Sequence, residues 1–137
     1  MLSQYSQFLE VGDYGQIGAG RVVAFTPKGQ RWIAPPKNVN RFQPFITYTV
    51  SGSSLIDRGI FDGDVLICRT VFELSEVKED TVCVLLIKET DLTVKMIRFN
   101  LDNTVTVRAA NPYYADKVYH VDDVEIKAIV CELQRKV

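Results

Sequence analysis

Apolar residues gather along this chain in short blocks separated by polar segments, and β-branched and aromatic residues concentrate in seven runs. These are RVVAF (21–25), FITYTV (45–50), DVLICRT (64–70), TVCVLLI (81–87), LTVKMIRF (92–99), TVTVRAA (104–110) and VEIKAIVCEL (124–133). Such runs predict strands, because branched and aromatic side chains pack well on a pleated surface. The segments between them, among them TPKGQ, APPKN, DRGIFDGD, KETD, LDN and NPYY, carry the residues that turns require. The pattern therefore predicts a mainly β domain of about seven strands, arranged as a sandwich or partly open barrel. Helical spacing occurs only in LSQYSQFLEV, where Leu2, Tyr5, Phe8 and Leu9 share one face, enough for one short helix. The glycines of the following GDYGQIGAG read as a flexible connector. The expected organisation is a short flexible N-terminal arm, residues 1–19, ahead of a core spanning 20–137.

Composition narrows the class. With 137 residues, 47% hydrophobic and 24% charged, the chain suits one globular domain with a proper core. A net charge of -1 supplies no positive field for nucleic acid, so direct nucleic-acid binding by this chain is not expected. No apolar stretch approaches the roughly 18 residues of a membrane span, and the N-terminus lacks the pattern of a signal peptide. No membrane association and a cytoplasmic location are the expectations. Cys68, Cys83 and Cys131 lie in strand-like runs without metal-ligand spacing and read as buried thiols in a reducing compartment. No metal or organic cofactor is called for.

The stretch VSGSSLIDRGIFDGDVLIC, residues 50–68, brings in candidate chemistry. Its serines and glycines are also what turns are made of. A serine hydroxyl becomes a nucleophile at neutral pH only beside a base. A triad of Ser54, His120 and Asp122 is formally available, but no spacing favours it. The other base open to serine is a neutral lysine, which must be desolvated to lose its proton near working pH. In LTVKMIRF, alternation puts Lys95 on one face with Thr93, Ile97 and Phe99. That placement suits a buried base; a lysine snorkelling at a sheet margin is the alternative reading.

Together, VSGSSLIDRGIFDGDVLI and LTVKMI, with Lys95 41 positions after Ser54, resemble the self-cleaving LexA-type serine peptidases, a family that includes LexA, UmuD and the lambda-type phage repressors. Gly52, Ser54, Gly59, Ile60, Gly63 and Asp64 match the family's nucleophile segment, and Thr93, Val94 and Lys95 match its lysine strand. AANPYY (109–114) resembles its Pro/Asn-rich segment. Leu55 stands where methionine is usual, a swap that conserves volume, and Ser53 occupies a variable position.

The resemblance implies a LexA-like peptidase and dimerisation domain that cuts its own chain, with Ser54 as nucleophile and Lys95 as general base. Gly52, Ser53, Gly63 and Asp64 would support the nucleophile loop. The implied substrate is the protein's own N-terminal arm, cut at an Ala-Gly bond; Ala19-Gly20 lies 35 residues ahead of Ser54. A small residue before the bond and glycine after it allow close approach of the backbone. Ile17 and Val22 favour an extended arm. Also implied are a homodimer, a RecA filament as stimulator of cleavage, and a role in the DNA-damage (SOS) response or phage induction. With 19 residues ahead of the bond, the chain has the size of a UmuD-like protein; it also fits the C-terminal domain of a transcriptional repressor. The alternative function is a dimerisation module that does not cleave.

Overall fold

The computed structural model describes residues 9–18, 25–34, 36, 44–71 and 76–135. Nine strands among them form one mixed sheet: β1 (Leu9–Ile17), β2 (Gly29–Ile33), β3 (Phe45–Val50), β4 (Val65–Thr70), β5 (Thr81–Ile87), β6 (Asp91–Phe99), β7 (Thr104–Arg108), β8 (Lys117–His120) and β9 (Val124–Gln134). Their order is β2-β1-β3-β4-β9-β5-β6-β7-β8, and the sheet does not close into a barrel. Every neighbouring pair is antiparallel except β1 with β3.

Both faces of this sheet are apolar. On one, Ile17 of β1, Tyr48 of β3 and Leu66 of β4 join Val82 and Val84 of β5 and Leu92, Val94 and Met96 of β6 in a single buried cluster. On the other, Cys83 and Leu85 pack with Ile97, Val105, Val107 and Ile126. Strands β1 and β6 are far apart in the sheet order yet share the first cluster, so the sheet curls until one part covers another. Accumulated right-handed twist makes such curling the ordinary fate of a long sheet. Irregularities in the pairing of β9 with β4 and β5 add local bends.

The mainly β expectation holds, with nine strands rather than about seven. Of the predicted runs, six coincide with β3, β4, β5, β6, β7 and β9. The seventh, RVVAF, lies outside the described residues except for Phe25, which is in a bend. Residues 2–8 of the predicted N-terminal helix also lie outside them, and its last three, residues 9–11, are strand, paired with β2. Strands β1, β2 and β8 were not anticipated. The glycine-rich stretch read as a connector contributes most of β1, because neighbouring strands supply the order that its own sequence lacks. Gly15 adopts φ +84° where the β1–β3 register is irregular. The Asp13 carboxylate accepts hydrogen bonds from the Thr47 hydroxyl at 3.1 Å and the Gly15 amide at 3.3 Å, and it pairs with Arg31 at 3.4 Å. These contacts tie β1 to strands on both sides.

Candidate active site

Strand β3 ends at Val50, and the chain then turns through Ser51, Gly52, Ser53 and Ser54 into one turn of 3-10 helix, Ile56–Arg58. The loop is anchored by its apolar residues, since Leu55 and Ile60 are buried in the first cluster. Gly52 sits at φ +105°, a region glycine enters without strain. Its amide donates to the Asp62 carboxylate at 2.8 Å. Gly63, at φ +86°, donates to the Val50 carbonyl at 2.8 Å, and the Val50 amide donates to the Asp64 carbonyl at 2.8 Å.

The Asp64 carboxylate is buried, but its bonds run elsewhere than to the nucleophile loop. It accepts from the Phe61 amide at 2.8 Å and, through both oxygens, from Arg135 at 2.8 and 2.7 Å. The Arg135 hydrogen bonds hold its carboxyl below the usual carboxylate range. The acidic side chain that grips the loop is therefore Asp62, which the sequence reading passed over.

From the far side, the segment after β7 holds the serines. The Ala110 amide donates to the Ser54 carbonyl at 2.8 Å, and the Ala110 carbonyl accepts from the Asp57 amide at 2.7 Å. Asn111, itself buried, donates its side-chain Nδ2 to the Ser53 carbonyl at 2.8 Å. Among the described residues nothing accepts a hydrogen bond from the Ser54 amide.

Lys95, in the middle of β6, reaches this loop. Its Nζ lies 3.1 Å from Ser54 Oγ, 3.1 Å from Thr93 Oγ1 and 3.3 Å from the Val94 carbonyl. Strand alternation explains the aim: Val94 and Met96 enter the first cluster, while Lys95 points the other way, with Cys83 opposite it and Ile97 two positions on. Burial depresses the Lys95 pKa, Lys117 adds to the depression, and Asp91 opposes it. The Tyr114 ring stands 6.0 Å from Nζ. Ser54 and Lys95 open onto a cleft of about 250 Å³, lined also by Ser51, Ser53, Thr93 and Tyr114.

The histidine is placed elsewhere. His120 is exposed at the end of β8, where its Nδ1 accepts from the Asp122 amide at 3.1 Å, and it does not line the cleft. Ala19 and Gly20 lie outside the described residues. The last described residues ahead of them are docked beside the loop. The Ile17 carbonyl accepts from the Ser51 amide at 2.9 Å, and Gly18, at φ +110°, is so close that an added Cβ would stand 2.3 Å from the Ser51 carbonyl oxygen. Among the described residues no helix is long and apolar enough to cross a membrane.

A serine on a strand-end loop, faced by a desolvated lysine within hydrogen-bond reach, has the constellation of the serine–lysine hydrolases. The model of the Peptidase S24-like family matches residues 13–131, and the chain belongs to that family. It is 28% identical to a LexA repressor of Acidiphilium cryptum, over 90% of this chain and 52% of that protein. With a LexA repressor of Zymomonas mobilis it shares 30% identity, over 93% of this chain and 57% of the relative. A LexA repressor of Pelagibacter ubique is 28% identical over 93% and 55% respectively. The chain thus spans about half the length of the curated relatives it matches.

Proposed function

We propose that this chain is a self-cleaving serine endopeptidase domain that cuts between Ala19 and Gly20 with Ser54 as nucleophile and Lys95 as general base. The observation that carries the reading is the 3.1 Å approach of Lys95 Nζ to Ser54 Oγ in a cleft whose walls depress the lysine pKa. Neutral Lys95 takes the Ser54 proton as Oγ adds to the Ala19 carbonyl carbon. The Ser54 amide stabilises the oxyanion that forms. Lys95 then passes the proton to the Gly20 nitrogen, which leaves as an amine. A water deprotonated by the same lysine hydrolyses the acyl enzyme and restores Ser54. Thr93, bonded to Nζ, keeps the amine aimed at the serine.

The docking of Ile17 and Gly18 against Ser51 supports a substrate supplied by the same chain. LexA-type resemblance extends the proposal to a homodimer in the cytoplasm, with cleavage stimulated by a RecA filament. The role would then be a UmuD-like one or that of a repressor's peptidase domain in the DNA-damage response or phage induction. Incubation of the purified chain at mildly alkaline pH, read by intact mass and N-terminal sequencing, tests the chemistry. A new N-terminus at Gly20 is expected, absent from Ser54→Ala and Lys95→Ala proteins that remain folded. An uncut wild-type chain, even with activated RecA filament, would leave a dimerisation module in its place.

A further inference from the structure

We infer that Asn111 is a positioning residue that orients the oxyanion-binding amide of Ser54. The inference rests on the self-cleavage reading above and goes beyond it by assigning the group that sets the oxyanion donor. The Ser53 carbonyl and the Ser54 N–H belong to one planar trans peptide unit, so the two bonds point in opposite directions. Whatever captures the carbonyl therefore aims the amide. Asn111 captures it at 2.8 Å.

The asparagine is itself well held. It is 6% exposed, its Oδ1 accepts from the Tyr113 amide at 3.0 Å, and its own carbonyl accepts from the Tyr114 amide at 3.0 Å. A buried amide bonded at both ends of its side chain has little freedom to turn. The neighbouring bond, Ala110 amide to Ser54 carbonyl at 2.8 Å, fixes the next peptide unit. A donor on the Ser53 carbonyl also polarises that peptide and strengthens its N–H as a donor. The Ile56 amide also approaches the Ser53 carbonyl, at the longer distance of 3.4 Å, which leaves Asn111 as its shorter donor, while the Gly52–Asp62 bond holds peptide unit 51–52.

The test is single-turnover self-cleavage across pH in wild type, Asn111→Ala and Asn111→Asp, with Ser54→Ala as the blank. Asn111→Asp retains the acceptor for Tyr113, replaces the donor to Ser53 by a charged acceptor and so repels that carbonyl; it covers the case in which the alanine variant fails to fold, and only its plateau rate is compared. A misaimed donor should lower the plateau rate by about 10- to 100-fold. In the alanine variant the pH midpoint, which reports Lys95, should stay where it is in wild type, and limited proteolysis should cut within β1 no faster than in wild type. A folded variant that cleaves within about threefold of wild type overturns the inference. So does a slowed alanine variant whose midpoint moves toward ordinary lysine, since the dyad itself would then have been disturbed. Absence of cleavage in wild type refutes the self-cleavage reading instead, and the parallel wild-type arm separates the two failures.

Discussion

Replacing Gly18 by alanine should strike at the docking of the arm rather than at the dyad. An alanine Cβ would stand 2.3 Å from the Ser51 carbonyl oxygen, a separation that only a backbone shift relieves. The φ of +110° adds strain, and holding a non-glycine residue in such a region costs about 1–3 kcal/mol. A shift large enough to clear the contact also breaks the bond from the Ser51 amide to the Ile17 carbonyl, worth about 1 kcal/mol net. The docked form should therefore lose about 2–4 kcal/mol relative to the undocked one. Each 1.36 kcal/mol is a factor of about ten, so the loss corresponds to roughly 30- to 1,000-fold in the docking equilibrium. Wild-type docking has some surplus stability that absorbs the first part, and a fall in single-turnover rate of at least about tenfold is expected. Intact-mass kinetics at a pH on the plateau measures it, with a thermal melt to show that the core is intact. A Gly18→Ala protein that cleaves within about threefold of wild type would refute the claim that residues 17 and 18 must rest against Ser51 for reaction.

Three further outcomes follow from the geometry. Cleavage should speed up as pH rises and level off above the Lys95 pKa, at a midpoint below ordinary lysine, because burial favours the neutral amine that accepts the Ser54 proton; a flat profile from mildly acid to strongly alkaline pH would remove Lys95 as the base. Arg135→Ala should lower the melting temperature by several degrees at neutral pH, since the buried Asp64 carboxylate loses both of its guanidinium bonds. Asp64 has a depressed pKa in the folded state, so its contribution is present above the unfolded carboxylate value and is lost as pH falls through the folded one; calorimetry should find the wild-type advantage shrinking over that interval. His120→Ala should leave the cleavage rate within about twofold of wild type in the same mass assay, because the imidazole is exposed and bonded to its own turn.

The strands β3, β4, β5, β6, β7 and β9 were legible because their signal is local: short runs of branched and apolar residues bounded by turn residues specify an extended chain by themselves. The pairing of Ser54 with Lys95 was legible through resemblance: the residue pattern left Lys95 open to a reading as a lysine snorkelling at a sheet margin, and it was the likeness of VSGSSLIDRGIFDGDVLI and LTVKMI to the LexA-type peptidases that singled out the two residues the structure brings to 3.1 Å. What the sequence could not determine was anything that depends on a distant partner. Strand β1 is rich in glycine and polar residues and becomes a strand only because β2 and β3 offer it backbone partners and Thr47 and Arg31 engage Asp13. The exposed four-residue β8 is likewise ordered by its pairing with β7. The grip of Asp62 rather than Asp64 on the nucleophile loop turns on which way two neighbouring carboxylates face. Asn111 bonds a carbonyl 58 positions away, a separation that leaves no period in the sequence. Hydrophobic alternation determines which face of a strand is buried; which hydrogen-bonding groups meet across the curled sheet is decided only when the whole chain has closed on itself.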